Sequence, residues 1–301
     1  MKRIPYYPGC SLQTKAKHFE TTAMAVAEAL DYEMITLPRW NCCGAVHSLT
    51  SDDLMHHIAP VTTLLRSKEF SEANQLDDSR LVVLCAMCLN VLKRTNKRVI
   101  ELIDDRTKMN DFLYLESSKY DGSTQVIHFL ELLKEIGWDV LSRKVTHPLS
   151  NLSVSPYYGC LLLRPKEVGI DDPEAPVIQE NLLHSLQAKV VENPLKNRCC
   201  GSYHTLADKQ VVVDLSYDIL TNAQKAGAEI ITTSCPLCAF NLDQRQEDII
   251  KKYSGFKKIP VVYFTELMMI AFGLPLKNAG LDQHYVDPRP LFIEKEMYHE
   301  E

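Results

Sequence analysis

The sequence has no long run of apolar residues and no apolar stretch behind its first residues. Its most apolar segment, residues 261–276, is shorter than the roughly 18 residues that a membrane-spanning helix needs, and it contains Glu266. Lys2 and Arg3 are not followed by the apolar core of a signal peptide. We therefore expect a cytoplasmic protein with no transmembrane segment.

The chain also lacks an excess of positive charge. It has 33 Lys and Arg residues against 39 Asp and Glu residues, for a net charge of −6. A nucleic-acid-binding domain normally carries a basic footprint, so we expect no nucleic-acid partner. No GxGxxG motif follows a predicted strand, and we expect no flavin or nicotinamide in this chain. The 46% hydrophobic and 24% charged residues are typical of a globular protein and exclude low complexity.

Cysteine, by contrast, is abundant, with ten residues in a chain of 301. A protein that is not exported folds in a reducing compartment, where clustered cysteines indicate metal or redox chemistry rather than disulfides. The ten are Cys10, Cys42, Cys43, Cys85, Cys88, Cys160, Cys199, Cys200, Cys235 and Cys238.

These cysteines repeat in the same order in each half of the chain: one cysteine, an adjacent pair, then CxxC. The offset between the halves is 150 residues at the first cysteine, 157 at the pair and 150 again at the CxxC. The neighbours repeat as well: YYPGC at residues 6–10 matches YYGC at 157–160, CCGAVH at 42–47 matches CCGSYH at 199–204, and LCAMC at 84–88 matches SCPLC at 234–238. Such self-similarity indicates a duplicated domain.

Hydrophobic patterning predicts strands that alternate with helices. We predict strands at residues 4–7, 33–37, 81–84, 152–155, 189–191 and 229–233, and helices at 14–30, 52–65 (capped by Ser51), 176–186 and 206–225. Each CxxC follows a strand and opens a helix. The predicted fold is two duplicated α/β domains, each a small sheet flanked by helices, related by pseudo-twofold symmetry. We assign residues 1–148 and 149–275 to the two domains and 276–301 to an irregular C-terminal tail.

Five thiolates in each half are compatible with several metal groups. A structural zinc or a cubane iron–sulfur cluster takes four and leaves one cysteine over. A larger iron–sulfur assembly uses all five, and adjacent cysteines suit it because they can reach two different irons. Gly44 and Gly201 after each pair, with Gly9 and Gly159 before each first cysteine, would allow the backbone to approach a bulky inorganic group.

Two copies of Cys…Cys-Cys-Gly…Cys-x-x-Cys resemble the cysteine-rich CCG domain. A free-standing pair in a chain of this length is similar to the catalytic iron–sulfur subunit of heterodisulfide reductase. The resemblance covers residues 6–267 and implies two noncubane [4Fe–4S] clusters, each held by all five cysteines of its half. One half could hold zinc in place of a cluster. The first half departs from the second in its longer gap before CxxC, and we place an insertion at residues 71–79.

The resemblance implies an oxidoreductase that reduces a mixed disulfide of the coenzyme M–coenzyme B type to two thiols, in two one-electron steps. It implies two partner subunits in the same complex, one a ferredoxin-like iron–sulfur protein and the other flavin-containing and electron-bifurcating. CCG domains also occur in electron-transfer subunits of lactate, glycolate and succinate oxidoreductases, which pass electrons to quinone or a membrane partner. Several of those carry a ferredoxin module of closely spaced cysteines, which this sequence lacks. A zinc-stabilised scaffold is a third alternative.

Few other residues stand out. His47 and His204 each lie four residues after a cysteine pair, where they could supply a proton or fix the loop. Tyr7 and Tyr158 precede the first cysteines and are expected to pack on a cluster, whereas His18 has no partner pattern and is expected at the surface. Glu131 and Glu266 match in position and are predicted helix caps. Six cations could bind an anionic substrate: Arg39, Lys93, Arg164, Lys166, Lys196 and Arg198.

Overall fold

Two four-stranded parallel sheets organise the chain, for which the computed structural model describes residues 1–45 and 53–298. The chain divides into two units, one of Met1–Lys15 and Ala27–Leu132, the other of Ala16–Val26 and Leu133–Glu301. Among the described residues, no helix has the length and apolar character to cross a bilayer.

The sheet of the first unit has the strand order β2-β1-β3-β4. Its strands are β1 (Lys2–Tyr7), β2 (Tyr32–Thr36), β3 (Leu81–Val83) and β4 (Val126–His128). The helices in or bordering this unit are α1 (Gly9–Leu12), α2 (Lys17–Ala29), a 3₁₀ turn (Leu54–His57), α3 (Ile58–Ala73), α4 (Ala86–Glu101), α5 (Ile103–Phe112) and α6 (Phe129–Ile136). The short strands β3 and β4 are buried throughout, which explains their continuous apolar sequence.

The second unit repeats this topology, with the order β6-β5-β7-β8. Its strands are β5 (Ser153–Tyr157), β6 (Lys189–Val190), β7 (Ile230–Thr233) and β8 (Val261–Tyr263). Its helices are α7 (Trp138–Lys144), α8 (Ile178–Ser185), α9 (Lys209–Lys225), α10 (Pro236–Gln244), α11 (Gln246–Lys252), α12 (Phe264–Phe272) and α13 (Arg289–Glu294), with 3₁₀ turns at Ser202–His204, Leu276–Asn278 and Leu281–Gln283. The predicted α/β class is confirmed.

Every strand predicted from the sequence overlaps an observed one, but the patterning does not predict β4 or β8. The other differences concern helices. Helix α3 continues to Ala73, so the proposed insertion at residues 71–79 begins inside a helix. Ser51 lies outside the described residues. Hydrophobic patterning does not predict helix α5, because residues 103–112 are mostly polar and carry little apolar periodicity.

Residues 276–298 are more ordered than the irregular tail that the sequence indicates. They form two 3₁₀ turns and α13, and the Phe292 side chain is fully buried. The backbone N–H groups of Tyr285 and Val286 donate to the Asp243 carboxylate at 2.7 and 2.8 Å. Pro288 and Pro290 suggest an irregular segment in the sequence, yet proline fits the first turn of a helix, where it removes no hydrogen bond.

Candidate metal centres

The cysteines of each unit gather where the strands of its sheet end. Cys10 lies in α1 directly after β1, and Cys85 is the N-cap of α4 directly after β3. Strands β1 and β3 are neighbours at the point where the strand order reverses, the position where open parallel sheets bind ligands. In the second unit Cys235 is likewise the N-cap of α10, after β7. Both CxxC motifs therefore open a helix, as predicted.

In the first unit the five thiols form a connected series, in the order Cys10, Cys42, Cys43, Cys88 and Cys85. The Sγ atoms of Cys43 and Cys88 are 3.3 Å apart, and those of Cys10 and Cys42 are 3.8 Å apart. Cys43, Cys85 and Cys88 are buried, while Cys10 and Cys42 are exposed. The five-thiol group therefore has a closed side toward the protein and an open side toward solvent.

The second unit has the same arrangement, but its thiols are less exposed to solvent. Its Cys200 and Cys238 Sγ atoms are 3.6 Å apart, and Cys200, Cys235 and Cys238 are buried. Cys160 and Cys199 are half-buried. The Cys199 sulfur accepts a hydrogen bond from the Gly201 N–H at 3.3 Å.

Crowding of the thiols separates their proton affinities. Hydrogen bonds from Cys42 and Cys88 hold the pKa of Cys43 well below its usual range, whereas hydrogen bonding and burial raise the pKa of Cys88. A hydrogen bond from Cys160, with the Gly201 N–H, lowers the pKa of Cys199 to about 6. Five such groups cannot all ionise unless a cation neutralises them.

The spacing of the sulfurs fits a group of several metal ions better than a single ion. A tetrahedral zinc bound by cysteines needs sulfurs about 3.8 Å apart in threes and fours. All ten cysteines lie in the described part of the chain, and no three of their sulfurs all lie within 4.8 Å of one another. A group of soft thiolates with more than four members is a donor set that suits an iron–sulfur cluster.

Two glycines keep that space open. Gly9 and Gly159 both have φ +67°, and a Cβ on them would lie 3.3 Å from the Cys88 sulfur and 3.1 Å from the Cys238 sulfur. Gly44 and Gly201, which follow the cysteine pairs, also have positive φ, at +67° and +80°. The four glycines occupy the backbone conformations expected of them, and two directly border the thiol groups.

Tyr7 lies beside the cysteines of its unit, so its packing on a cluster stays a prediction, whereas the same expectation is wrong for Tyr158. The Tyr7 hydroxyl donates to the Asn41 carbonyl at 2.9 Å, and the Tyr157 hydroxyl donates to the Arg198 carbonyl at 2.6 Å. Both carbonyls directly precede the cysteine pair of their unit. Burial first, then the nearby cysteines, raise the pKa of both tyrosines, so both keep their protons.

Tyr158 instead faces away from the cysteines. Its hydroxyl donates to Glu180 and accepts a hydrogen bond from the Gln179 N–H at the start of α8. Tyr158 was matched with Tyr7 because it lies near the first cysteine in the sequence, but the offset of 150 residues between Cys10 and Cys160 matches Tyr7 with Tyr157. That offset was the signal that could have identified the correct residue.

The structure describes one of the two candidate histidines, His204. His47 lies outside the described residues. His204 is exposed at the end of the turn Ser202–His204, and its carbonyl accepts a hydrogen bond from the Asp208 N–H at 2.7 Å. A charge on His204 contributes to the lowered pKa of Cys199. His204 is therefore placed near one cysteine of the second group.

Five of the six candidate cations are in ion pairs. The N–O distance is 3.0 Å between Lys93 and Glu131 and 2.5 Å between Lys196 and Glu180. The other three ion pairs are Arg39 with Glu116, Arg164 with Glu174 and Arg198 with Asp218. Lys166 is exposed. An anionic ligand would have to compete with a carboxylate for each of the five paired cations.

One group that the sequence analysis missed lies apart from the cysteines. His18 is buried, not at the surface as expected, and it lies with Glu266 and His284 in the second unit. Glu266 also caps α12 by accepting from the Tyr263 N–H at 2.7 Å, and Glu131 caps α6 in the same way. The predicted capping roles of both glutamates are confirmed.

Comparison with known proteins agrees with this architecture. The profile of the family described as Cysteine-rich domain (CCG) matches residues 4–93 and 154–243. A Wolinella succinogenes protein named 8-methylmenaquinol:fumarate reductase membrane anchor subunit is 29% identical over 291 residues, 96% of this chain and 99% of the relative. A Methanosarcina acetivorans protein, named as one subunit of a ferredoxin/F420H2-dependent CoB–CoM heterodisulfide reductase, is 27% identical over 293 residues, 95% of this chain and 94% of the relative.

More distant comparisons extend the same pattern. A protein of Archaeoglobus profundus, named as similar to the same heterodisulfide reductase subunit, is 24% identical over 302 residues, 98% of both chains. The crystal structure of a hypothetical protein from Helicobacter pylori superposes with a TM-score of 0.75 at 11% identity, over 94% of this chain and about half (52%) of that one, which supports the fold alone. The chain belongs to the CCG cysteine-rich domain family and contains two copies of the domain.

Proposed function

We propose that this chain is an iron–sulfur subunit of a multi-subunit oxidoreductase and that each unit binds one noncubane [4Fe–4S] cluster. The first would be held by Cys10, Cys42, Cys43, Cys85 and Cys88, and the second by Cys160, Cys199, Cys200, Cys235 and Cys238. The observation that carries this proposal is the gathering of five thiols at the end of each sheet, with a glycine against each group. Five thiolates exceed the four that one tetrahedral ion takes, and they suit a cluster of several irons.

The activity that fits best is reduction of a disulfide to two thiols. The reaction consumes two electrons and two protons, RSSR′ + 2e⁻ + 2H⁺ giving RSH and R′SH. When bound, the two clusters would supply those electrons one at a time. The relatives named for heterodisulfide reductase support this activity, and the name of the Methanosarcina acetivorans relative includes the CoB–CoM heterodisulfide. We propose a CoB–CoM type mixed disulfide as the substrate, and, from the resemblance of the duplicated cysteine motif, ferredoxin-like and flavin-containing subunits as partners.

The chain's own residues would divide the remaining tasks by position. Cys43, Cys85 and Cys88 are buried and would anchor a cluster, while Cys10 and Cys42 lie on the open side from which a substrate could approach. His204 is exposed beside Cys199 and would hold a proton for a departing thiolate. We assign the matching role to His47 from its sequence position.

A second candidate function has its own support. The relative named as a membrane anchor subunit of a quinol:fumarate reductase aligns over 99% of its length. On that alternative the chain transfers electrons between a quinone or membrane partner and the catalytic part of the complex. The cysteine sites would be the same, and no disulfide would bind.

The deciding experiment is metal analysis followed by spectroscopy on the full chain, purified without oxygen. About eight irons per chain, with a paramagnetic signal that appears when a thiol is added to the oxidised protein, would support disulfide reduction. Eight irons without a thiol-dependent signal would favour electron transfer. Four irons with one zinc bound by sulfur would mean that only one unit binds a cluster. A His204→Ala variant should keep its iron and lose turnover; loss of iron would contradict the proton-donor role.

A further inference from the structure

His18, Glu266 and His284 bring three metal-ligating atoms together inside the second unit. The His284 Nε2 atom is 3.0 Å from the Glu266 Oε1 atom, and the His18 Nε2 atom is 3.9 Å from the same oxygen. Ligand atoms of the three residues all lie within 4.8 Å of one another. Their side chains are 6%, 0% and 3% exposed, so bulk water does not solvate them.

The outer nitrogens of the two histidines face other polar groups. The His18 Nδ1 atom lies 3.0 Å from the Gln283 Oε1 atom, and an amide oxygen can only accept, so Nδ1 carries the proton. The His18 Nε2 lone pair is therefore directed at Glu266. The Asp243 Oδ2 atom is 3.8 Å from the His284 Nδ1 atom, which is an ion-pair contact longer than a hydrogen bond and places a carboxylate behind the ring.

The charges of this group are unbalanced without a cation. Glu266 is fully buried and Asp243 is 4% exposed, and in the described part of the chain both form ion pairs with histidines alone. One protonated histidine would leave a net charge of −1, and the bare His18 nitrogen would still face a carboxylate oxygen. A divalent ion with two neutral imidazoles would bring the charge to zero, which lowers the cost of burying the carboxylates.

The neighbouring residues pack closely against His18, Glu266 and His284. Gly280 has φ +68°, and a Cβ on it would lie only 2.3 Å from the His18 Cβ. Phe19 and Tyr263 stack with ring centroids 4.1 Å apart beside the three residues. The ligands come from the start of α2, the first turn of α12 and the segment after the turn Leu281–Gln283, and α2 is far in sequence from the other two.

We propose that His18, Glu266 and His284 bind one divalent transition-metal ion, with Zn²⁺ as the best match, separate from the cysteine sites. Two imidazole nitrogens and one carboxylate oxygen are a known zinc donor set. A tetrahedral zinc would place such atoms about 3.3 Å apart, close to the observed 3.0 and 3.9 Å. The ion would fasten the C-terminal segment to α2 and α12, and the proposal does not depend on which group the cysteines bind.

The test compares zinc binding by the full chain and by two matched histidine variants. His18→Asn keeps an amide donor in the place of Nδ1 and removes Nε2, while His184→Asn removes an exposed histidine on α8. At equal free Zn²⁺ in equilibrium dialysis, the parent chain and His184→Asn should bind one more zinc per chain than His18→Asn. X-ray absorption at the zinc edge should show nitrogen and oxygen at about 2.0–2.1 Å in the parent and lose them in His18→Asn.

Zinc bound by cysteines would appear at a sulfur distance of about 2.3 Å and would be equal in all three proteins, so failure of the cluster assignment is distinguishable. Equal zinc and equal spectra in the parent and His18→Asn would overturn the proposal. If His18→Asn does not fold, Glu266→Gln serves in its place, because its amide oxygen can still cap the Tyr263 N–H. A folded Glu266→Gln chain that retains the nitrogen and oxygen shell would also overturn it.

Discussion

Replacing Tyr157 by Phe removes one hydroxyl from the second cysteine site and leaves the aromatic ring in place. That hydroxyl donates to the Arg198 carbonyl at 2.6 Å, and the side chain is fully buried. The ring remains against Gly159, where a Cβ would lie 3.5 Å from it. The change therefore isolates the hydrogen bond that holds the backbone just before Cys199.

The expected cost follows from leaving the Arg198 carbonyl without that donor. This hydrogen bond is part-buried, and losing a typical intramolecular hydrogen bond costs about 0.5–1.5 kcal/mol. If this loss falls on the segment that carries Cys199 and Cys200, local opening becomes roughly 2- to 13-fold more frequent. A cluster bound there should then be lost to a chelator faster by a similar factor, because release requires that segment to open.

The control is Tyr158→Phe, the neighbouring residue in the same strand region. Its hydroxyl makes two hydrogen bonds, to Glu180 and from the Gln179 N–H, and neither reaches a cysteine segment. Both variants should unfold more easily in denaturant, but only Tyr157→Phe should speed the bleaching of the iron–sulfur absorbance by a chelator under anaerobic conditions. Equal bleaching rates in the two variants, or an unchanged rate in Tyr157→Phe, would refute the reasoning.

Three further changes probe the second site. Gly159→Ala should lose cluster binding, because its Cβ would lie 3.1 Å from the Cys238 sulfur. The control is Gly227→Ala, which is also at positive φ but has no atom within 4 Å of the added Cβ. It should lower the free energy of unfolding by only the roughly 1–2 kcal/mol that backbone strain costs. Asn241→Leu removes an N–H that donates to the Cys200 sulfur at 3.4 Å, and it should lower the reduction potential of the second cluster by about 40 mV in a redox titration followed by EPR; an unchanged potential would contradict the contact. Cys200→Ala should lose about half of the iron and the EPR signature of the second cluster alone, and a full complement of iron would argue against five-cysteine ligation.

Much of the candidate site was predictable because it depends on local sequence and on repetition. A short apolar run, then a cysteine, then a helical segment places Cys85 and Cys235 at helix starts on the end of a parallel sheet, as observed. The duplicated order of ten cysteines assigns five to each half without reference to any contact. Glycines next to the cysteines, such as Gly9 and Gly159, were identified by the same repetition.

Other predictions failed where the outcome depends on the direction of a side chain. Tyr157 and Tyr158 are adjacent in sequence, and consecutive residues of an extended segment point to opposite faces. One reaches the cysteine segment and the other reaches Glu180. The ion pairs of the candidate cations were not predictable for a related reason, because Lys93 and Lys196 meet carboxylates that sequence position alone does not bring near them.

The sequence by itself determined that the chain is a duplicated α/β protein with two five-cysteine groups, since alternation of strands and helices and the 150-residue offset are properties of the linear order. Only the tertiary structure decided the surroundings of those groups and the existence of the His18, Glu266 and His284 cluster. These three residues come from segments that share no periodicity or motif. Their convergence results from packing of distant segments around a common core, which a local pattern does not encode.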